Sequence, residues 1–185
     1  ILDALPSRQD RRVHFIRESL VELDAALRAR GGGLIVRHGR ASEEIPNLAR
    51  ELGVASVYAN RDYEPAAKAR DAAVAENLEA LGIAFHTRKD QAIFDGDDVL
   101  TQAGRPFSVF TPYKNAWLKR LTSADYAEWS WRGKLAPCAS AAVPRLDQIG
   151  FAPTDLEQLG IRPGMSGARA LLEEFRNGRM ARYGA

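Results

Sequence analysis

The chain has 185 residues, 45% hydrophobic and 27% charged, with a formal net charge of +2. These are the values of an ordinary globular protein of one domain plus an appendage, and so small a charge gives no argument for nucleic acid by itself. The single cysteine, Cys138, excludes an intrachain disulfide and fits a reducing, cytoplasmic setting, and no apolar run approaches the roughly 20 residues of a membrane span. Ile1-Leu2-Asp3-Ala4-Leu5-Pro6 has neither an initiator methionine nor a signal-peptide pattern, so the chain is expected to begin in mid-domain.

Ser7 is placed to cap a first helix, with Asp10 in its first turn. Val13, Ile16, Leu20, Leu23 and Leu27 form one apolar stripe at three- and four-residue steps. Gly31-Gly32-Gly33 stops that helix, and Leu34-Ile35-Val36 reads as a short buried strand. The unit then repeats. Ser42 is expected to cap a helix carrying Ile45, Leu48 and Leu52, closed by Gly53, with a strand from Val54 to Ala59. Pro65 opens the next helix, which carries Ala69, Val74, Leu78 and Leu81; Gly82 ends it, and Ile83-Ala84-Phe85 is a third strand. This alternation predicts an α/β fold, a Rossmann-like parallel sheet flanked by helices. Turn signals around Val99-Leu100 predict a small hairpin. Thr111 with Pro112 predicts a helix whose sticky face is Tyr113, Ala116, Trp117 and Leu121. Residues 122–165 have the texture of a connector, with a short helix at Asp155–Leu159 behind the capping-box pair Thr154 and Glu157. A last helix is expected from about Gly167 to Tyr183, with Leu171, Leu172 and Phe175 on one face.

In an open parallel sheet, ligands bind outside the carboxyl ends of the strands. Asn60-Arg61-Asp62-Tyr63-Glu64-Pro65 occupies such a loop. Asp62 and Glu64 supply acceptors, Arg61 a charged donor fork, and Tyr63 a flat surface, which together suit a planar heterocycle with ring N–H groups. The competing reading is that both carboxylates cap the helix at Pro65 and compensate its dipole. His14, His38 and His86 lie on separate elements without metal-ligand spacing. Cys138, Ser42 and Ser108 sit in no nucleophile context. The triple glycine precedes a strand and is not a dinucleotide fingerprint. Trp117, Trp129 and Trp131 are read as packing residues rather than an electron-transfer chain.

Asn60-Arg61-Asp62-Tyr63-Glu64-Pro65 with Ala69-Arg70-Asp71, followed by Phe110-Thr111-Pro112-Tyr113-Lys114-Asn115-Ala116-Trp117-Leu118-Lys119-Arg120-Leu121, resembles the N-terminal antenna domain of the DNA photolyase/cryptochrome family. The resemblance covers nearly the whole chain. It implies a photolyase-type α/β domain over 1–121, an interdomain connector over 122–165, and the start of a helical domain over 166–185. It implies a lyase: a deoxyribodipyrimidine photolyase, a DNA-repair flavoprotein that splits cyclobutane pyrimidine dimers by light-driven electron transfer from reduced FAD. The partner would be UV-damaged DNA, the parent protein would be monomeric, and the chain alone would be inactive. Tyr183 matches a tyrosine at the edge of the FAD site in relatives. The family's opening strand–helix–strand is not found before Ile1. Those strands lie centrally in the family sheet, between Leu34–Val36 and the two later strands.

The resemblance also implies that Arg61, Asp62 and Glu64 face an antenna chromophore. Folate-using relatives carry an Asn-Glu pair where this chain has Ala66 and Ala67. Deazaflavin or flavin is therefore favoured over folate. The alternatives are a cryptochrome-type blue-light photoreceptor and, from another class, a small nucleotide-binding Rossmann-like module. The latter lacks support because no glycine-rich phosphate loop follows Val54–Ala59 or Ile83–Phe85.

Overall fold

The computed structural model describes residues 2–128, 133–138 and 141–183, so Trp129 and Trp131 lie outside the described residues. The chain divides into two compact units, one of Ile1–Val36 with Arg132–Ala185 and one of Arg37–Trp131.

The central unit, Arg37–Trp131, is built on a β-α-β core. Helix α2 (Ala41–Leu52) ends at Gly53, whose φ of 62° lets its N–H reach the carbonyls of Ala49 and Arg50. Strand β1 (Ser56–Asn60) leads to helix α3 (Pro65–Glu79), which has Pro65 in its first turn. Strand β2 (Ala84–Arg88) then lies parallel to β1, with Val57 opposite Phe85 and Tyr58 opposite His86. The period-2 pleat sends Val57 and Phe85 to one face. There they join Ala49 and Ile45 of α2 and Val74 and Leu78 of α3 in one apolar cluster. Leu78 is fully buried. The other face carries Tyr58 stacked on His86 at 4.8 Å, with Tyr58 still 67% exposed. Helix α4 (Phe110–Arg120) completes the unit.

The α/β class and the parallel pairing are as the sequence predicts, but the sheet has two strands, not three. Residues 34–38 form no strand. A strand needs a neighbour for its N–H groups, and the Leu34 N–H instead donates to Asp24 Oδ1 at 2.8 Å. Two expected caps also move. Ser42 lies inside α2, whose N-cap is Arg40, and Thr111 lies inside α4, whose N-cap is Val109. Neither position makes a side-chain cap hydrogen bond. No hairpin forms at Val99-Leu100; a tight turn joins Thr101 to Arg105 by hydrogen bonds from Thr101 N to Arg105 O and from Arg105 N to Thr101 Oγ1.

The terminal unit, Ile1–Val36 with Arg132–Ala185, is helical. Helix α1 (Arg11–Arg28) is capped by Asp10, whose carboxylate accepts from Arg12 N; Ser7 instead accepts from Gln9 N. Only part of the expected stripe turns inward. Val13 packs on Leu146 and Phe151, whereas Ile16 and Leu23 are exposed. Asp24 is buried and is satisfied by Arg28 Nε at 2.7 Å and Leu34 N. The expected helix at Asp155–Leu159 is replaced by turns. Its capping residue is engaged elsewhere. His14 Nδ1 lies 2.9 Å from Thr154 Oγ1 and accepts from Thr154 N, while Arg11 grips Asp155 with two hydrogen bonds of 2.7 Å. Helix α5 (Gly164–Glu174) packs on α1: Ser19 Oγ accepts from Gly164 N, and Glu22 accepts from the backbone and hydroxyl of Ser166. Gly167 lies so close to the Arg162 carbonyl that a Cβ would sit 2.0 Å from its oxygen. The helix does not run straight to Tyr183. It passes through a π turn at Phe175–Arg179 and a 3₁₀ turn at Met180–Arg182.

These ion pairs set an acid limit. The hydrogen bond from Arg12 holds Asp10 down at about 2, and Arg11 and Arg28 likewise lower Asp155 and Asp24 from the ordinary 3.8. A carboxylate with a depressed folded value contributes stability that is fully present above the unfolded value and is lost as pH falls through the folded one. The thermal midpoint, followed by far-UV circular dichroism, should therefore be flat above about pH 5 and fall between about pH 4 and 2. A midpoint constant across that window would remove these pairs from the account of stability.

Candidate functional site

The carboxyl ends of β1 and β2 open into a cavity of about 470 Å³. Three elements build it. The turn after β1 contributes Arg61, Asp62 and Tyr63, held in line with the strand by the hydrogen bond from Arg61 N to Arg88 O at 2.8 Å. Phe85 and Thr87 rise from one face of β2, and Lys68, Asp71 and Ala75 recur at three- and four-residue steps along α3. The third wall is Asp95 and Gly96, from the segment after β2.

Of the residues singled out by sequence, Arg61, Asp62 and Tyr63 line this cavity together. Asp62 Oδ1 accepts from Tyr63 N at 2.7 Å and does not cap α3. Glu64 is the N-cap residue of α3, makes no side-chain cap hydrogen bond, and is not among the lining side chains. Ala66 is exposed and Ala67 is buried in the core. Tyr183, in the terminal unit, is 83% exposed and meets the edge of Phe175, with ring centroids 5.9 Å apart. Sequence reasoning misses Lys68, Asp71, Phe85, Thr87 and Asp95. The α3 pair was readable from its helical spacing to the strand-end loop. Asp95 was not, because Asp95-Gly96 reads as a turn.

Asp95 is the hub of the third wall. Its Oδ2 accepts from the Tyr63 hydroxyl at 3.3 Å and lies 3.4 Å from Arg61 Nη2. Burial, and next the negative charge of Asp95, push the Tyr63 phenol up, so it remains a proton donor at neutral pH. The wall is anchored from behind. Asp98 Oδ2 accepts from Asp95 N at 3.0 Å and from Lys89 Nζ at 2.9 Å, and Arg120 of α4 donates to the Asp98 carbonyl. The Lys89 hydrogen bond, the largest influence, holds Asp98 below the usual carboxylate range. Phe94, buried, meets the edge of Trp117 at 5.4 Å, with Arg120 and Lys89 over its ring at 5.2 and 5.6 Å.

Trp117 is thus the anchor expected from sequence, although it is partly exposed. Trp117→Ala should cost about 2–3 kcal/mol, at or below the low end for a buried aromatic. A denaturant midpoint equal to the native one would contradict the anchoring role.

A larger groove of about 600 Å³ opens beside the first turn of α1, among Gln9–Arg12 and Pro153–Asp155. Its arginines are closed in bidentate pairs with Asp10 and Asp155, so it offers a ligand little free charge. Among the described residues no cluster of three or more His, Cys, Asp or Glu could hold a metal ion, and no helix is long and apolar enough to cross a membrane.

A parallel β-α-β unit with a polar-rimmed cavity at its strand ends is an α/β domain of the open-sheet type, whose strand ends are where ligands bind in such sheets. The sequence profile described as DNA photolyase matches residues 3–131. The chain belongs to the DNA photolyase family. It is 33% identical over 176 residues to a deoxyribodipyrimidine photo-lyase of Halobacterium salinarum, covering 93% of this chain and 36% of that protein. It is 31% identical over 179 residues to an uncharacterized 31.6 kDa protein of a Synechococcus species, covering 94% and 61%. Among solved structures, a class III photolyase from Agrobacterium tumefaciens superposes with a TM-score of 0.75 at 25% identity, covering 95% of this chain and 37% of that one. The chain thus spans less than two thirds of the length of each of these relatives.

Proposed function

We propose that this chain is the antenna part of a deoxyribodipyrimidine photolyase, and that the cavity at the ends of β1 and β2 holds the antenna chromophore. The observation that carries the reading is the cavity itself. It joins a flat apolar wall, Phe85 and Ala75, to convergent donors and acceptors, Arg61, Tyr63 and Asp62, at the position where open parallel sheets bind ligands. Asp62 would accept from ring N–H groups of a planar heterocycle, Arg61 would flank it, and Glu64 would contact it from the rim. Deazaflavin or flavin suits this set better than folate, because Ala66 and Ala67 offer the pterin neither donor nor acceptor. The chromophore, when bound, supplies absorption of blue light and passes the excitation to FAD. FAD and UV-damaged DNA, with splitting of cyclobutane dimers, are proposed for the whole protein; within this chain only Tyr183 would touch the FAD edge. On this reading residues 1–121 are the antenna domain, 122–165 the connector and 166–185 the first helix of the FAD-binding domain of a monomeric, cytoplasmic enzyme.

The test is to mix the protein separately with a 5-deazaflavin and with methenyltetrahydrofolate, then measure absorbance retained after gel filtration. Deazaflavin should be retained and folate should not. Asp62→Ala should weaken retention by about one to two orders of magnitude, since a lost buried hydrogen bond costs about 1–3 kcal/mol. Folate retention, or deazaflavin retention indifferent to Asp62→Ala and Glu64→Ala, would remove both carboxylates from the chromophore site.

A further inference from the structure

The charges lining the strand-end cavity point to the class of ligand it takes. We infer that Asp95 is a specificity-determining residue, and that by occupying Arg61 and Tyr63 it makes the cavity select a planar heterocycle with an uncharged side chain over one carrying a phosphate. The inference rests on the reading of this cavity as the chromophore site.

Arg61 would be the natural grip for a phosphate, since its planar fork matches oxyanions. It is already engaged. Asp95 Oδ2 lies 3.4 Å from Arg61 Nη2 and takes the Tyr63 hydroxyl at 3.3 Å. The Asp95 side chain is only 14% exposed, against 50% for Arg61, so the carboxylate is the inner partner and the one less screened by water. It cannot easily swing away. Its backbone N–H is tied to Asp98, which Lys89 holds in turn. The rest of the lining holds one cation, Lys68, beside two carboxylates, Asp62 and Asp71, the latter paired with Arg70 at 2.8 Å. A phosphate entering here meets carboxylates on three walls and finds its best cation neutralised. A neutral hydroxylated side chain meets the same groups as hydrogen-bond partners at no such cost.

Riboflavin and FMN differ by one phosphate and isolate this effect. Binding of each to the purified protein is measured by flavin fluorescence at low salt, for native protein and for Asp95→Asn and Arg61→Gln. Native protein should favour riboflavin by about tenfold or more. Asp95→Asn frees Arg61 and should move the riboflavin-to-FMN affinity ratio at least about tenfold toward FMN, with the gain shrinking as salt is raised. Arg61→Gln should move the ratio the other way, and it reads the same charge balance if Asp95→Asn fails to fold. A purely structural role for Asp95 would weaken both flavins equally and leave the ratio where it was. An unchanged ratio in both variants overturns the inference while leaving the cavity as a flavin site. Failure of both flavins to bind all three proteins overturns the site reading, and the inference with it.

Discussion

Leu78→Ala should destabilise the central unit by about 3–4 kcal/mol. Leu78 is fully buried and is the point where α2, α3, β1 and β2 converge, beside Val74 and Ala49. Removing its branched end takes away both the transfer free energy and the contacts of a close-packed site, which can relax only in part. A unit of this size loses about 4–8 °C of thermal midpoint per kcal/mol, so the midpoint should fall by more than about 10 °C. Leu81→Ala is the control. Leu81 belongs to the same predicted apolar face but is 41% exposed, and its truncation should cost less than about 1 kcal/mol. Equal midpoints for the two variants would mean that the cluster is not the core.

The second large effect is expected at Phe94. It is 8% exposed and sits under three neighbours: the edge of Trp117, the Arg120 guanidinium and the Lys89 ammonium. Truncation of a buried phenylalanine costs about 3–5 kcal/mol, of which an aromatic pair and a cation–π contact each supply about 0.5–1.5. Phe94 also precedes Asp95 directly. Phe94→Ala should therefore loosen the third wall of the cavity as well as lower stability, whereas Phe94→Leu keeps the apolar volume and should cost about half as much. Stability is read from denaturant unfolding, and wall position from the rate at which trypsin cleaves after Lys89. A Phe94→Ala protein with native stability and native cleavage would show that the segment after β2 is held by its ion pairs alone.

What the sequence discloses here is whatever is written locally. Gly53, Pro65 and Gly82 punctuate the β-α-β unit by backbone geometry that needs no distant partner, and the apolar runs at Val57 and Phe85 follow Gly53 and Gly82. Leu34-Ile35-Val36 has the same apolar texture but no strand, because pairing is a property of two segments and not of one. Thr154 and Glu157 have the spacing of a helix start, yet a histidine 140 residues away takes the cap. Ile16 and Leu23 share the period of Val13 but not its burial, since periodicity names a face without saying how much of it is covered. The site divides along the same line. Arg61 and Asp62 follow a strand end and could be read from that position. Asp95 meets Tyr63 across 32 residues and could not.

The division into one continuous and one discontinuous unit bears on the order in which the molecule assembles. Residues 37–131 form their core from neighbours in sequence, a topology that pairs quickly. The terminal unit instead needs Arg11 to find Asp155, 144 residues along the chain, and Val13 to find Leu146 and Phe151. Closing a loop that long while it is flexible carries an entropic penalty that grows with the logarithm of its length. Once the middle has collapsed, much of that loop is no longer flexible and the penalty falls. Residues 1–36 thus leave the ribosome before residues 132–183 yet must wait for them to acquire their buried partners. Until residues 146–151 emerge, α1 must wait with Val13 uncovered, which leaves its apolar side in need of shelter on the nascent chain.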